Sequence, residues 1–211
     1  LDRHVHDFLM CLRCWLPRTF GEPQTTRRPW RLQSLDLSRN SLSDASICKV
    51  MDFMKSLDVR LERLLLAGNC IRQQGLTAIT EYIWNCPDAL VEIDLADNEI
   101  YADPKAGPAP GSDVVSAFLR CIYNHSSYPV TLDAGREGLK VLPLLLRMGG
   151  NGIVHPEKLL KQIRSVGGKT HVRVCASADA YPHTAGEYLS VCLPDFLVQR
   201  ALGNGAAAHG A

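Results

Sequence analysis

The 211-residue sequence predicts an α/β solenoid, in which units of one strand and one helix stack side by side. Two observations predict it. A long apolar–polar pattern recurs at a fixed spacing of 29 residues, and behind each copy an apolar helical triplet recurs at the same spacing. A third observation sets the class: 46% hydrophobic and 21% charged residues suit one folded domain with a real core and exclude a disordered chain.

The first element is the stretch HVHDFLMCLRCW, where Phe8, Leu9, Leu12, Trp15 and Leu16 fall on one helical stripe. It reads as a helix covering the open end of the stack, so residues 1–31 form an N-terminal capping helix and linker. His4, His6, Cys11 and Cys14 are all zinc-compatible, and the two cysteines have C-x-x-C spacing. No second ligand pair follows at finger spacing, so the capping reading is preferred and no metal is expected. In the linker, Arg27, Arg28, Trp30 and Arg31 offer charge and a stacking ring to RNA. A solvated basic linker is the plainer reading of the same residues.

Residues 32–175 are assigned to the repeats. LQSLDLSRNSL from Leu32, LERLLLAGNCI from Leu61 and LVEIDLADNEI from Leu90 each fit L-x-x-L-x-L-x-x-N-x-L. After the first motif, Ile47, Val50 and Met54 recur as Leu76, Ile79 and Ile83, the i, i+3, i+7 spacing of one helical face. Strand and helix therefore repeat together. Alternating apolar residues of each strand face inward, and neither a lone strand nor a lone helix can bury its apolar side, so the units must share one core. Asn40, Asn69 and Asn98 fall where each strand ends, and an amide that both donates and accepts can satisfy the backbone of a turn there. They are read as a structural Asn ladder, not as a ligand site.

A Pro-rich insertion at about 101–112 interrupts the third unit, and is read either as a partner-clamping loop or as an excursion. The helical triplet returns as Val115, Phe118 and Ile122. The fourth motif is then expected as LDAGREGL from Leu132, with Glu137 in place of the Asn, followed by a short helix from Lys140 to Met148. In an alternative frame PLLLRMGGNGI from Pro143 is the motif and Asn151 its Asn. The first frame is preferred because it keeps the strand-to-helix spacing. A helix over 156–166 and a last strand from His171 complete the reading, and 176–211 is taken as a C-terminal extension.

These motifs resemble the leucine-rich-repeat superfamily, and the 29-residue unit with a helical second half is similar to its ribonuclease-inhibitor-like subclass. The resemblance is specific over about 32–139, weaker to 174, and absent from 1–31 and the C-terminal tail. It implies a leucine-rich-repeat solenoid, a short horseshoe arc with the parallel sheet on the concave face and helices on the convex face. It also implies that the concave sheet binds other proteins.

The outward strand positions follow from the motif. They include Asp36, Arg63, Leu65, Glu92, Asp94, Thr131 and Asp133, an acid-rich set that favours a partner with a basic surface. The alternative is that these are ordinary solvated residues. Enzyme signatures fail: GGKT at 167–170 lacks the first Gly of a phosphate loop, GGNG at 149–152 lacks the rest of a dinucleotide fingerprint, and Cys175 with His183 matches no known spacing.

With 23 basic and 22 acidic side chains, no overall field draws the chain to nucleic acid or an anionic membrane. Its longest apolar run is far too short to span a bilayer. Eight cysteines, several at core positions, point to reduced thiols. The lack of an initiator Met fits a processed or trimmed product.

The expectation is a non-catalytic protein-interaction module without a cofactor, an accessory or scaffolding subunit of an intracellular assembly. The compartment is cytoplasm, including cytoskeletal assemblies, or mitochondrion. A regulator of an enzyme acting through the concave face and an RNA-contacting component of a ribonucleoprotein are the alternatives.

Overall fold

The computed structural model describes residues 2–21, 29–102, 114–128, 130–133, 139–142, 144–165, 171–173, 189–193 and 195–199. The described strands are β1 (Trp30–Asp36), β2 (Val59–Leu65), β3 (Glu92–Asp94), β4 (Tyr101–Ala102), β5 (Val130–Asp133), β6 (Leu139–Leu142), β7 (Leu144–Arg147), β8 (Gly152–Ile153), β9 (His171–Arg173) and β10 (Leu189–Cys192). The helices are α1 (Val5–Phe20), α2 (Asp44–Ser56), α3 (Gln73–Asn85), α4 (Val114–Asn124) and α5 (Pro156–Ser165). Six strands form one sheet in the order β1-β2-β3-β7-β10-β9, and every adjacent pair in it is parallel.

The register carries the repeat directly. Leu35 pairs with Leu64, Leu64 with Ile93 and Ile93 with Leu146, and these four are almost wholly buried. One turn later Leu37, Leu66, Leu95 and Met148 make a second buried row, and Leu42, Ile71, Ile100 and Ile153 a third. Each fully buried apolar side chain contributes roughly 1.5–3 kcal/mol, so these rows dominate what holds neighbouring units together. The helical triplets of α2, α3 and α4 are likewise buried.

The frame after α4 needs correction. The fourth strand of the parallel sheet is β7, not the segment at Leu132, and its Asn is Asn151. β5 and β6 instead pair antiparallel in a separate two-stranded sheet, so the expected helix over 140–148 is two strands. Two insertions, not one, lengthen this unit: ten residues before α4 and fourteen between α4 and β7 move the strand-to-strand offset from 29 to 53. The physical discriminator is the amide. Asn151 Nδ2 donates to Leu95 O at 2.9 Å and to Met148 O at 3.0 Å. Glu137 has no side-chain N–H to offer.

The ladder has the same wiring at each step. Asn69 donates to Leu37 O and Leu66 O and accepts from the backbone N–H of Asn40 and Leu42. Asn98 donates to Leu66 O and Leu95 O and accepts from Ile71 N–H. The residue before each Asn is in the left-handed region, at φ 58° for Arg39, 66° for Gly68, 54° for Asp97 and 69° for Gly150. At Gly150 an added Cβ would also run into the Asp97 carboxylate.

A further rung comes from Gln199, which donates to Met148 O and Phe196 O and accepts from Asn151 N–H. The sheet likewise continues past residue 175, because β10 pairs with β7 and β9 with β10.

Helix N-termini are capped from the unit before. Asp44 accepts from Arg72 N–H at 2.6 Å and Gln74 N–H at 3.1 Å at the start of α3. Asp2 does the same for α2, accepting from Ser43 N–H at 2.9 Å and from the Ser43 and Ser46 hydroxyls. Thus α1 sits where the helix of a preceding unit would. Val5, Leu9 and Leu16 of α1 are buried while Trp15, expected in that stripe, is 47% exposed.

The Ser46 hydroxyl first, then the Ser43 N–H, hold the Asp2 carboxyl down to about 2. A depressed carboxylate stabilises the fold above its unfolded value, and the gain disappears as pH falls through the folded one. Asp2 is nearly fully solvated, so Asp2→Ala is expected to cost only about 0.5 kcal/mol at pH 6 after solvent screening. That difference should vanish in thermal melts near pH 2.

Two tyrosines pin strand starts. The Tyr82 hydroxyl donates to Val59 O at 3.0 Å and accepts from Leu61 N–H at 3.1 Å, and Tyr128 accepts from Leu90 N–H at 3.1 Å, one unit on. Burial drives both phenols well above their ordinary range. Tyr82→Phe should cost about 2 kcal/mol in denaturant titration, because two buried backbone groups lose their partner.

Candidate partner-binding face

The sheet has one face against the helices and one away from them. Since successive strand residues alternate sides, Leu64, Ile93 and Leu146 in the core place their neighbours on the other face. The register assembles two rows there. Ser34, Arg63, Glu92 and Leu145 form one, and Asp36, Leu65, Asp94 and Arg147 the other. All are exposed or half-buried, so their side chains are accessible in a line across four strands.

Of the residues expected on this face, Asp36, Arg63, Leu65, Glu92 and Asp94 are brought together. Thr131 and Asp133 are not, because β5 pairs with β6 and lies outside the parallel sheet. Their places are taken by Leu145 and Arg147, which the first-choice frame did not align. This also changes the charge. The four acids of the expected face become Asp36, Glu92 and Asp94, and the cations become Arg63 and Arg147.

Arg147 Nε lies 3.6 Å from Glu92 Oε1, which neutralises the middle of the face. The expectation of an acid-rich surface for a basic partner therefore loses its premise.

The two aspartates are also engaged locally. Asp36 Oδ1 accepts from Ser38 N–H, and Asp94 Oδ1 from Ala96 N–H, each at 3.0 Å. The Ser38 N–H holds the Asp36 carboxyl below the usual range, whereas burial pushes the Asp94 carboxyl up against the pull of Ala96 N–H and Arg147. An Asp two residues before its donor is a turn device, so these side chains shape the strand ends as well as facing solvent. Leu65 occupies the same position in the second unit.

The RNA candidate divides. Arg27 and Arg28 lie outside the described residues. Trp30 is 6% exposed in β1, with Nε1 donating to Gly21 O at 2.8 Å, so its ring belongs to the core and is not available for stacking. Arg31 is 2.8 Å from Asp88, which also takes Arg60 at 3.3 Å. Of the insertion, Tyr101 and Ala102 form β4, parallel to β8, and residues 103–112 lie outside the described residues.

The zinc-compatible residues lie along or beside α1, with Cys11 and Cys14 both exposed. Among the described residues no group of three or more His, Cys, Asp or Glu is placed to hold a metal ion. Cys175 and His183 lie outside them.

Among the concavities on the helical side is a groove of about 370 Å³ between α3 and α4. Thr80, Val114, Ala117 and Cys121 line it, and Trp84, 60% exposed, stands at its rim. Burial raises the Cys121 thiol to about 11, which favours its protonated form at neutral pH. Its only sequence signal was an aromatic residue on the outward side of a helix. Among the described residues no helix is long and apolar enough to cross a membrane.

Comparison with known proteins gives one positive result: residues 31–51, covering β1, the first Asn turn and the start of α2, match the family model for the Leucine Rich Repeat. Compared with curated proteins and with solved structures, the chain shows no match.

Proposed function

We propose that this leucine-rich-repeat chain is a non-catalytic protein-binding solenoid, an accessory or scaffolding subunit that offers the outer face of its parallel sheet to a partner protein in a larger intracellular assembly. The repeat itself supports protein binding in general, since leucine-rich repeats generally mediate protein–protein interaction. The 29-residue unit with its helical second half supports the ribonuclease-inhibitor-like subclass, whose sheet face is concave.

The observation that carries the reading is the composition of the two rows. Leu65 of β2 and Leu145 of β7 are half-buried on either side of β3, whose Glu92 and Asp94 lie between them, with Arg63 and Arg147 beside them. Apolar side chains interspersed with charged and partly paired ones match the mixed polar and apolar make-up of a protein interface. An extended surface across four strands suits a macromolecule better than a small molecule, which needs an enclosing pocket.

The test is affinity capture from the source cells with mass spectrometry, using wild type and the Leu65→Glu/Leu145→Glu variant in parallel. The variant is expected to lose at least tenfold in affinity for the captured partner while its melting temperature holds. A Lys49→Glu control on the exposed side of α2 should bind as wild type does. A partner retained equally by the double variant would overturn the reading.

A further inference from the structure

The helix α1 has a second apolar face, on the side opposite its buried stripe. Leu9 and Leu16 are buried, whereas Met10 and Trp15 are 48% and 47% exposed and Cys11 and Cys14 are exposed too. Helical spacing gathers Met10, Cys11, Cys14 and Trp15 on one side, with Asp7 and Arg18 at its two ends. Both flanking charges are accessible: the Asp7 side chain is 74% exposed, with His4 Nδ1 at 3.6 Å, and Arg18 is exposed.

The order of these residues is self-complementary. Read from either end, the face runs charge, two intervening residues, large apolar, Cys, two intervening residues, Cys, large apolar, two intervening residues, opposite charge. We infer that α1 is a homodimer surface, on which two copies pair through antiparallel α1 helices about a two-fold axis passing between residues 12 and 13.

That axis sets Met10 against the partner's Trp15, a favourable sulfur–aromatic contact. Cys11 meets the partner's Cys14, two small side chains at the centre where the helices approach most closely. Asp7 meets the partner's Arg18. Each contact occurs twice.

A second copy is favoured over an unrelated partner by the charges. A heterologous partner needs no relation between Asp7 and Arg18, whereas a two-fold pairing of antiparallel helices requires opposite signs at these two positions. Position in the fold agrees: α1 packs against α2 with its buried stripe, so this opposite face is directed away from the described repeats. One helix face is smaller than the roughly 800 Å² per partner of a standard interface, so dissociation in the micromolar range is expected. The surface is separate from the sheet face and does not depend on its proposed role.

The test is sedimentation equilibrium of the full 211-residue chain under reducing conditions, from about 1 to about 100 µM. A reversible monomer–dimer equilibrium is expected. Asp7→Arg and Arg18→Asp should each weaken it roughly tenfold, since each reversal creates two like-charge contacts, and the combined variant should return to within about threefold of wild type. Trp15→Asp should leave a folded monomer, with folding checked by an unchanged melting temperature.

A chain that is monomeric throughout the range overturns the inference. So does a dimer indifferent to the single reversals, or one that the combined variant fails to restore, since either places the contact on another face.

Discussion

Asn98→Ala is expected to destabilise the protein by about 3–4 kcal/mol, the larger share from backbone groups left without partners and not from the lost side chain. Asn98 is 1% exposed, and its amide donates to Leu66 O at 3.0 Å and to Leu95 O and Ala96 O at 3.1 Å. Its Oδ1 accepts from Ile71 N–H at 3.2 Å. Alanine leaves that N–H and at least one of the carbonyls dry, at roughly 1–3 kcal/mol each. Asn98→Asp should be nearly as costly, because an ionised carboxylate keeps the acceptor but repels the three carbonyls.

Chemical denaturation checks both. A cost below about 1 kcal/mol for either would remove the ladder as a structural device. Asn40 is half-buried in the first strand unit, and Asn40→Ala should cost about half as much.

Leu146→Ala is the second large effect, at about 3–4 kcal/mol. Leu146 is wholly buried and lies beside Ile93 in the sheet, with Leu144 and Met148 equally buried around it. Parallel strands held on both sides cannot collapse inward to fill the space, so the cost falls in the upper range for Leu→Ala. Leu32, half-buried in the edge strand β1, is the comparison, and Leu32→Ala should cost no more than about 1.5 kcal/mol. Equal costs at the two positions would argue that Leu146 is not part of the sheet core.

How much of this was legible in the sequence depends on the region. Between Leu32 and Ile100 the 29-residue period states the register outright, since Leu35, Leu64 and Ile93 pair as their spacing requires. Past Ile100 the same argument misleads. A short apolar run fixes neither its element nor the sheet it joins: VTLD in β5 alternates as a strand should, whereas LLLR in β7 is a continuous run that also suits a helix. Only the ladder amide tells them apart, and Asn151 was the residue to follow.

The face was legible where the period was, at Asp36, Arg63, Leu65, Glu92 and Asp94, and not at Leu145 and Arg147 beyond the second insertion. Contacts that do not follow the 29-residue period were illegible. Nothing local marks Asp2 as a cap for α2, or Gln199 as a rung, because each role is defined by a neighbour far along the chain.

Gln199 shows how the ladder absorbs irregularity. In the earlier units the carbonyl two residues before the Asn receives the bond from the left-handed residue, as Gly149 O does from Asp97. In the last unit Gly150 N–H reaches Val198 O, one residue before the Gln. The side chain is longer by one methylene, which offsets that shift.

The wiring also has a direction. The amide of Asn69 completes the turn at Asn40, that of Asn98 serves Ile71, and that of Asn151 serves Ile100, always from the later unit to the earlier. A chain cut after any unit would therefore leave that unit's turn with an unpaired backbone N–H, as Ile71 would be without Asn98.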